Sequence, residues 1–184
     1  MTDSEVKEKD FKVIQSSLII DNQQKFIDRI NQSYEIHQKM FRGQDSTWSY
    51  GLYNIFSITS PSILMYDLFV ELKGIINDYL PEYKYKWMQA WVNYHAPDEV
   101  LDWHDHSWDY HGYISIDPKN TTTVFEGGYE VDNKVGNIYI GPGSRRHKVV
   151  VNEEYSGPRI TIGYDVQVCR KGSRPQGNLS LLPL

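Results

Sequence analysis

The sequence predicts a mainly β fold of the α+β class, in which two N-terminal helices back a β-sandwich or barrel. Two segments with helical periodicity fall within the first 83 residues, and seven short strand-like segments fill residues 84–166. Turns rich in Gly, Pro, Asn and Asp separate the strand-like segments. Helices followed by many short strands form layered folds, in which the helices cover one face of a sheet.

Length and composition indicate a single globular domain. The chain has 184 residues, 40% of them hydrophobic and 23% charged, a balance that supports one sizeable core. We therefore expect one domain over residues 1–184. Its parts are N-terminal strands and helices over 1–83, a barrel core over 84–166, and a C-terminal tail or docking arm over 170–184.

Charge and cysteine usage limit the partners and the compartment. The net charge of −5 disfavours nucleic acid as a partner, because phosphate binding requires a broad basic surface. A single cysteine, Cys169, cannot form an internal disulfide, which fits a cytoplasmic location. The charged N-terminus lacks an apolar signal core, and no run of about 18 apolar residues predicts a membrane span. These features do not predict an oligomeric state.

The first elements follow from periodicity and capping residues. Residues 11–20 alternate loosely and end in three aliphatic residues, which predicts a strand. Asp21 followed three residues later by Gln24 forms a capping-box pattern. Apolar residues at helical spacing follow it, so we predict a helix over 22–41.

A second helix is predicted between two Pro residues. Residues 48–58 are rich in aromatic and branched side chains and predict a strand. Ser60-Pro61 then offers a capping hydroxyl and a proline for the first helical turn. An apolar stripe runs from there to Pro81, which ends the predicted helix, and this stripe should cover one face of a sheet. The strands predicted after it are 84–95, 101–106, 110–116, 121–125, 136–141, 146–151 and 158–166.

The stretch WHDHSWDYH, residues 103–111, concentrates possible metal ligands. His104, Asp105, His106 and Asp109 all lie in it. Alternate residues of a strand project to the same face, so His104 and His106 can face one ion while Asp105 points away. Two imidazoles on one face begin a transition-metal site, which needs a third ligand from elsewhere.

A second stretch supplies the missing parts. His147 lies shortly after the turn Gly141-Pro142-Gly143, at the start of a predicted strand. Arg159 follows in a later strand, with Thr161 on the same strand face. An arginine on a buried strand face needs a carboxylate or phosphate partner.

This constellation resembles the iron(II)- and 2-oxoglutarate-dependent oxygenase superfamily over residues 84–166. That family has a His-x-Asp/Glu motif, a remote His, and then an Arg or Lys often followed by Ser or Thr two residues on. His104, His147, Arg159 and Thr161 match these positions. The resemblance implies a double-stranded β-helix, a jelly-roll barrel, with Fe(II) as cofactor and 2-oxoglutarate and dioxygen as cosubstrates.

Further site residues follow from the same resemblance. The stretch NYHAPDEVLDWH resembles the segment before the family's first ligand, which makes Asn93 and His95 candidates for polar contact with the cosubstrate. Arg145 and Arg146 would lie at the rim of the pocket, and His111 could support the metal ligands. The aromatic residues expected to shape the cavity are Trp103, Trp108, Tyr110 and Tyr113.

The chain departs from the family at His106, where a carboxylate is usual. Either His104, His106 and His147 form an all-histidine site, or a bulge brings in Asp105 or Asp109, or His106 is not a ligand. The i, i+2 spacing favours the all-histidine site. Such a site carries one more positive charge than the usual set and should bind a dianionic cosubstrate more tightly.

The sequence therefore predicts an oxygenase that couples 2-oxoglutarate decarboxylation to hydroxylation of an unidentified small-molecule or peptide substrate. One alternative is a cupin-like metal enzyme with three histidines and no 2-oxoglutarate, which leaves Arg159 without a role. Another is a catalytically silent binding module built on the same barrel.

Overall fold

The computed structural model describes residues 11–41, 53–58, 62–99, 101–169 and 180–184. In chain order these residues form β1 (Lys12–Gln15), α1 (Ser17–Phe41), α2 (Ile55–Ile58), α3 (Ile63–Tyr79), β2 (Tyr85–His95), β3 (Tyr110–Asp117), β4 (Thr121–Phe125), β5 (Tyr129–Asp132), β6 (Asn137–Pro142), β7 (His147–Val151), β8 (Arg159–Cys169) and β9 (Leu182–Pro183).

The strands form two antiparallel sheets. Within the described residues the larger sheet has six strands in the order β1-β6-β3-β8-β2-β9, and the smaller has three in the order β5-β4-β7. Leu101 and His104 extend the smaller sheet beyond β7, because the Val149 amide donates to the Leu101 carbonyl and His104 forms a β-bridge with His147. The predicted fold class, a double-stranded β-helix preceded by helices, is confirmed.

The larger sheet is buried on both faces. On β8, Ile160, Ile162, Tyr164 and Val166 belong to the main hydrophobic core, which they share with α1 and α3. The alternate residues of β8 point to the other face, toward the smaller sheet. This alternation places the helices on one side of the sheet and leaves the other side for a cavity between the sheets.

A smaller aromatic core joins the two sheets. Tyr113 and Tyr139 from the larger sheet pack with Phe125 and Val131 from the smaller sheet and with Phe11. The Phe125 ring lies 5.5 Å from the ring of His147, measured between centroids. This core therefore supports the wall of the cavity that carries His147.

The N-terminal prediction was wrong in one respect. The strand ends at Gln15 and α1 begins at Ser17, so residues 18–20 are helical rather than extended. The cap is Ser16, whose Oγ accepts from the Ile19 amide, and not Asp21. Ile19 is fully buried in the main core, so tertiary packing outweighs the β propensity of the aliphatic run. Near the predicted start, α1 is kinked at Asn22.

Two other predicted boundaries need correction. Residues 55–58 form the short helix α2 and not a strand, because the Asn54 side chain accepts from the Phe56 amide and starts a helical turn. Of the strand predicted over 48–58, residues 48–52 lie outside the described part of the chain. The second helix is capped by Ser62, whose side chain accepts from Met65, whereas Ser60-Pro61 lies outside the described residues.

Among the later segments, six of the predicted strands match β2, β3, β4, β6, β7 and β8 to within a few residues. The predicted strand over 101–106 is wrong as a regular strand, since the segment forms one isolated β-bridge at His104 and single backbone hydrogen bonds at Leu101 and His106. β5 and β9 were not predicted. Residues 180–184 lie along the edge of β2, where the Leu184 amide donates to the Lys86 carbonyl. No helix in the described ranges is long and apolar enough to cross a membrane.

Removing the cap of α1 should destabilise the fold. Ser16 is fully buried, accepts from the Ile19 amide and donates to a Glu71 carboxylate oxygen 2.7 Å away. We expect Ser16→Ala to lower the free energy of unfolding by about 1–2 kcal/mol in urea denaturation. Ser33→Ala is the matched control and should cost less than about 0.5 kcal/mol, because the Ser33 hydroxyl donates to the Arg29 carbonyl within the same helix and makes no other hydrogen bond among the described residues. Equal losses for the two variants would contradict the capping role.

Candidate functional site

A cavity of about 490 Å³ lies between the two sheets. β2, β3 and β8 form its wall from the larger sheet, while β4, β7 and residues 101–107 form the opposite wall. Six of the residues predicted to bind metal or cosubstrate line it, namely Asn93, His104, His106, His147, Arg159 and Thr161, whereas the other cosubstrate candidate, His95, is absent from the lining. Side chains far apart in sequence thus converge because two sheets close over one space.

Backbone hydrogen bonds bring the three histidines together. The amides and carbonyls of His104 and His147 bond reciprocally at 3.0 and 2.9 Å, and the His106 amide donates to the Gly143 carbonyl at 2.9 Å. A Cβ on Gly143 would lie 2.0 Å from the Trp108 carbonyl oxygen, so this close approach of the turn requires glycine. One candidate ligand atom from each histidine lies within 4.8 Å of the others. That separation is close to the roughly 3–4 Å between two nitrogens on one ion.

Each of these imidazoles has its Nδ1 atom held by an acceptor. Nδ1 of His104 lies 2.7 Å from the Asp102 carbonyl oxygen, and Nδ1 of His147 lies 3.0 Å from that of Arg145. Nδ1 of His106 lies 3.0 Å from Oδ1 of Asp165. Carbonyl and carboxylate oxygens only accept, so Nδ1 carries the proton and the Nε2 lone pair is free to bind a metal.

Burial keeps the imidazoles of His104 and His147 in the neutral form that binds metal. Burial, together with the neighbouring His111, lowers the pKa of His147 to about 2. Burial also lowers the pKa of His104. Nε2 of His106 is buried and has no hydrogen-bond partner among the residues that the structure describes. Neutral imidazoles with free nitrogens fit a first-row transition metal.

A second cluster, His106, His111 and Asp165, lies beside the first. Oδ1 of Asp165 lies 3.0 Å from Nδ1 of both imidazoles. Burial raises the pKa of Asp165, but the hydrogen bonds from His106 and His111 outweigh burial and hold it below its usual range. Burial lowers the pKa of His111 to about 4.

The imidazoles of His106 and His111 stack, with ring centroids 3.5 Å apart and ring planes 11° apart. A metal must lie near the plane of each imidazole it binds, so parallel stacked rings cannot both bind one ion through Nδ1.

Asp165 was not predicted from the sequence. The alternation of Arg159 and Thr161 along β8 continues to Asp165 and could have indicated which face its carboxylate lies on, but not which side chains it contacts. Of the two predicted carboxylate alternatives, Asp109 accepts a hydrogen bond from the Val168 amide at 2.9 Å and belongs to neither cluster. Asp105 lines the cavity, but it too is absent from both clusters.

Arg159 is a buried cation that faces the cavity. Its side chain is 3% exposed, and neither Nε nor Nη1 has a hydrogen-bond partner within the described parts of the chain. Burial lowers its pKa to about 10, which leaves the guanidinium charged at neutral pH. His95 pairs with Arg159 across β2 and β8, and burial followed by the Arg159 charge lowers its pKa to about 4. A buried guanidinium with free donors is a binding group for a carboxylate.

A chain of hydrogen bonds orients Thr161 beside this guanidinium. Nε1 of Trp91 donates to Oδ1 of Asn93 at 3.0 Å, and Nδ2 of Asn93 donates to Oγ1 of Thr161 at 3.2 Å. The Thr161 oxygen already accepts from Asn93, so its own proton is available to an acceptor in the cavity. Asn93 therefore lines the cavity, but its amide is engaged in positioning Thr161.

Trp91, which was not among the predicted cavity residues, forms part of the wall. It lies against Gly163, where a Cβ would come within 2.6 Å of the indole ring. Of the four aromatic residues predicted to shape the cavity, Tyr113 lines it. The prediction was wrong for the other three, which are absent from the lining: Trp103, which is 37% exposed, Trp108 and Tyr110.

Lys86 and Arg159, the two buried Lys or Arg side chains in the described parts of the chain, should respond differently to removal. Lys86 is 5% exposed, and its ammonium donates to the carbonyls of Leu80 and Tyr83. We expect Lys86→Met to cost about 1–3 kcal/mol of unfolding free energy, because two carbonyls lose their donor. Arg159→Met should leave the metal-free protein at least as stable as the wild type, since the guanidinium has free donors. Chemical denaturation measures both, and a loss above about 1 kcal/mol for Arg159→Met would indicate that the guanidinium is satisfied within the fold.

Comparison with known proteins supports the fold. No protein-family model and no curated protein sequence matches the chain. Among solved structures, SnoN, a non-heme α-ketoglutarate-dependent epimerase from nogalamycin biosynthesis, matches with a TM-score of 0.57 and 10% identity over 89% of this chain and 80% of its own. HygX from Streptomyces hygroscopicus, with nickel and 2-oxoglutarate bound, matches with a TM-score of 0.57 and 11% identity over 90% of this chain and 87% of its own.

A further structure of HygX with iron bound gives a TM-score of 0.53 at 11% identity, over 91% of this chain and 87% of its own. Identities this low establish shared architecture and leave the activity open. The resemblance to the iron- and 2-oxoglutarate-dependent oxygenases is thus confirmed at the level of the fold.

Proposed function

We propose that the chain is an Fe(II)- and 2-oxoglutarate-dependent oxygenase. One observation carries the proposal: a single cavity combines three imidazoles, each with Nδ1 held by an acceptor, and a buried guanidinium with free donors. The first group suits a divalent transition metal, and the second suits the distant carboxylate of a dicarboxylic acid.

The metal would be held by Nε2 of His104, His106 and His147. Three ligands from one side leave the remaining coordination positions of an iron ion open, as non-heme oxygenases require. When bound, Fe(II) supplies the activation of dioxygen, coupled to oxidative decarboxylation of 2-oxoglutarate to succinate and CO2. The chain itself contributes the placement of the imidazoles and their protonation state.

Arg159 and Thr161 would anchor 2-oxoglutarate. The guanidinium can donate two parallel hydrogen bonds to the C5 carboxylate, and the Thr161 hydroxyl can donate a third. Asn93 holds the Thr161 oxygen and so directs its proton toward the ligand. Burial of the guanidinium strengthens this attraction, because little water competes for the charge.

The apolar part of the cavity would accept the substrate and limit access of water. Trp91, Leu101 and Val149 contribute to the lining around the polar groups. A cavity of about 490 Å³ is in the range used for small-molecule ligands, so we propose a small molecule, or the end of a peptide, as substrate. Hydroxylation is the proposed outcome.

The alternatives explain less of the cavity. A three-histidine enzyme without 2-oxoglutarate would use the imidazoles but would leave Arg159 as a buried charge without a ligand. A silent binding module would require neither the three Nδ1 contacts nor the guanidinium. A charge of this kind is costly to bury, so a fold that retains it should have an anionic ligand for it.

Binding of both components can be observed directly. We expect anaerobic addition of Fe(II) and 2-oxoglutarate to the purified protein to produce a weak visible charge-transfer band. Arg159→Ala should weaken 2-oxoglutarate binding about 100-fold or more, because it removes charge-assisted hydrogen bonds worth about 3 kcal/mol. Arg146→Ala is the matched control and should leave the band unchanged. Arg146, which the sequence suggested for the rim of the pocket, is absent from the lining, and its exposed side chain lies 3.7 Å from Glu126.

In air, the same protein should form succinate from 2-oxoglutarate in an iron-dependent reaction. The proposal would be rejected if the wild type gave neither the band nor succinate. If Arg159→Ala left the band unaffected, the proposed iron site would stand, but the role of Arg159 in binding 2-oxoglutarate would be rejected.

A further inference from the structure

The carboxylate of Asp165 lies directly behind one of the proposed metal ligands. Asp165 is 0% exposed, and its Oδ1 lies 3.0 Å from Nδ1 of His106 and 3.0 Å from Nδ1 of His111. His104 and His147 have backbone carbonyls at the corresponding nitrogen. Among the three proposed ligands, only the one at the position that departs from the related family has a charged side chain behind it.

We propose that Asp165 is a positioning residue that fixes the tautomer of His106 and supplies, through its imidazole, the negative charge that a three-histidine site lacks. This inference rests on the proposed metal site. Asp165 itself does not bind the metal in this account, and it acts only by way of His106.

The charge balance supports this role. Three neutral imidazoles leave the full double positive charge of Fe(II) in the cavity, whereas two imidazoles and a carboxylate leave one positive charge. The negative charge of Asp165 brings the site back to one net positive charge, although the His106 imidazole lies between the carboxylate and the metal. A buried carboxylate is poorly screened by water, so its effect on a nearby cation is strong. A carboxylate hydrogen-bonded to a ligating imidazole also makes that imidazole a better donor.

The tautomer gives a second reason. A neutral imidazole carries one proton, and only the nitrogen without it can bind a metal. The carboxylate accepts from Nδ1, so Nε2 of His106 is left as the lone-pair nitrogen. That Nε2 atom is buried and makes no hydrogen bond to any residue in the described ranges. Without Asp165, nothing in this contact would favour the Nδ1–H tautomer over the other.

His111 completes the support. His111 and Asp165 are direct partners across β3 and β8, so the position of the carboxylate is set by the sheet. The His111 ring stacks on the His106 ring at 3.5 Å, which limits rotation of His106 about its side-chain bonds. The carboxylate therefore fixes the chemistry of His106, while the stacked ring fixes its orientation.

The test uses the metal-free full-length protein and a shape-conserving variant. In the wild type, nitrogen-15 NMR of the imidazoles should show His106 as the Nδ1–H tautomer, with the signal assigned by comparison with His106→Gln. In Asp165→Asn, the amide can donate as well as accept, so we expect a measurable population of the Nε2–H tautomer. Titration with Co(II) or Fe(II) should show metal affinity about 10- to 100-fold below that of the wild type.

Asp109→Asn is the matched control. It removes one carboxylate, which accepts a hydrogen bond from the Val168 amide on β8, the strand that also carries Asp165. Asp109 belongs to neither histidine cluster. We expect unchanged tautomers and less than a threefold change in metal affinity. Circular dichroism would check that both variants keep the fold.

The outcomes separate the two proposals. A wild type that binds neither Co(II) nor Fe(II) would reject the proposed function. A wild type that binds metal, together with an Asp165→Asn variant of equal affinity and unchanged tautomer, would overturn the role of Asp165 alone. The Nε2–H tautomer in the wild type would overturn it without any variant, even if Asp165→Asn failed to fold.

Discussion

Two reciprocal backbone hydrogen bonds between His104 and His147 are the constraint on which the cavity depends. They attach an otherwise irregular segment to the edge of the smaller sheet, so that two histidines distant in sequence become cross-strand neighbours. The bond from the His106 amide to Gly143 then fixes the next turn of the chain. Because these contacts are made by the backbone, the histidine cluster is built into the fold and does not require a metal to assemble it.

The larger sheet contributes the opposite half of the cavity through its alternation. One face of β8 packs on the helices, and the other carries Arg159, Thr161 and Asp165 into the space between the sheets. Burial has opposite consequences for the charged pair. The Asp165 carboxylate keeps its charge and accepts hydrogen bonds from two imidazoles, whereas Arg159 keeps free donors and should attract an anion. β8 thus carries a hydrogen-bonded carboxylate, Asp165, near the histidines. Further along, it carries a guanidinium, Arg159, whose free donors can bind an anionic ligand.

Much of this arrangement could be predicted because it follows from local spacing. The pairs His104/His106 and Arg159/Thr161 are read from a period of two, which holds even where no regular strand forms. The role of Asp165 could not be predicted in this way, because it depends on which imidazoles the fold brings next to the carboxylate. Spacing along the sequence does not contain that information. The start of α1 was mispredicted for a similar reason, since burial of Ile19 against the sheet decides the conformation of a run with high β propensity.

In the proposed function, three imidazoles and one guanidinium serve a single metal–cosubstrate complex. An anaerobic crystal structure with Fe(II) and 2-oxoglutarate tests it most directly. We expect one ion bonded to Nε2 of His104, His106 and His147, with the C5 carboxylate of 2-oxoglutarate on Arg159. An ion bonded to Asp105, an ion bound directly by Asp165, or a cosubstrate carboxylate away from Arg159 would contradict it.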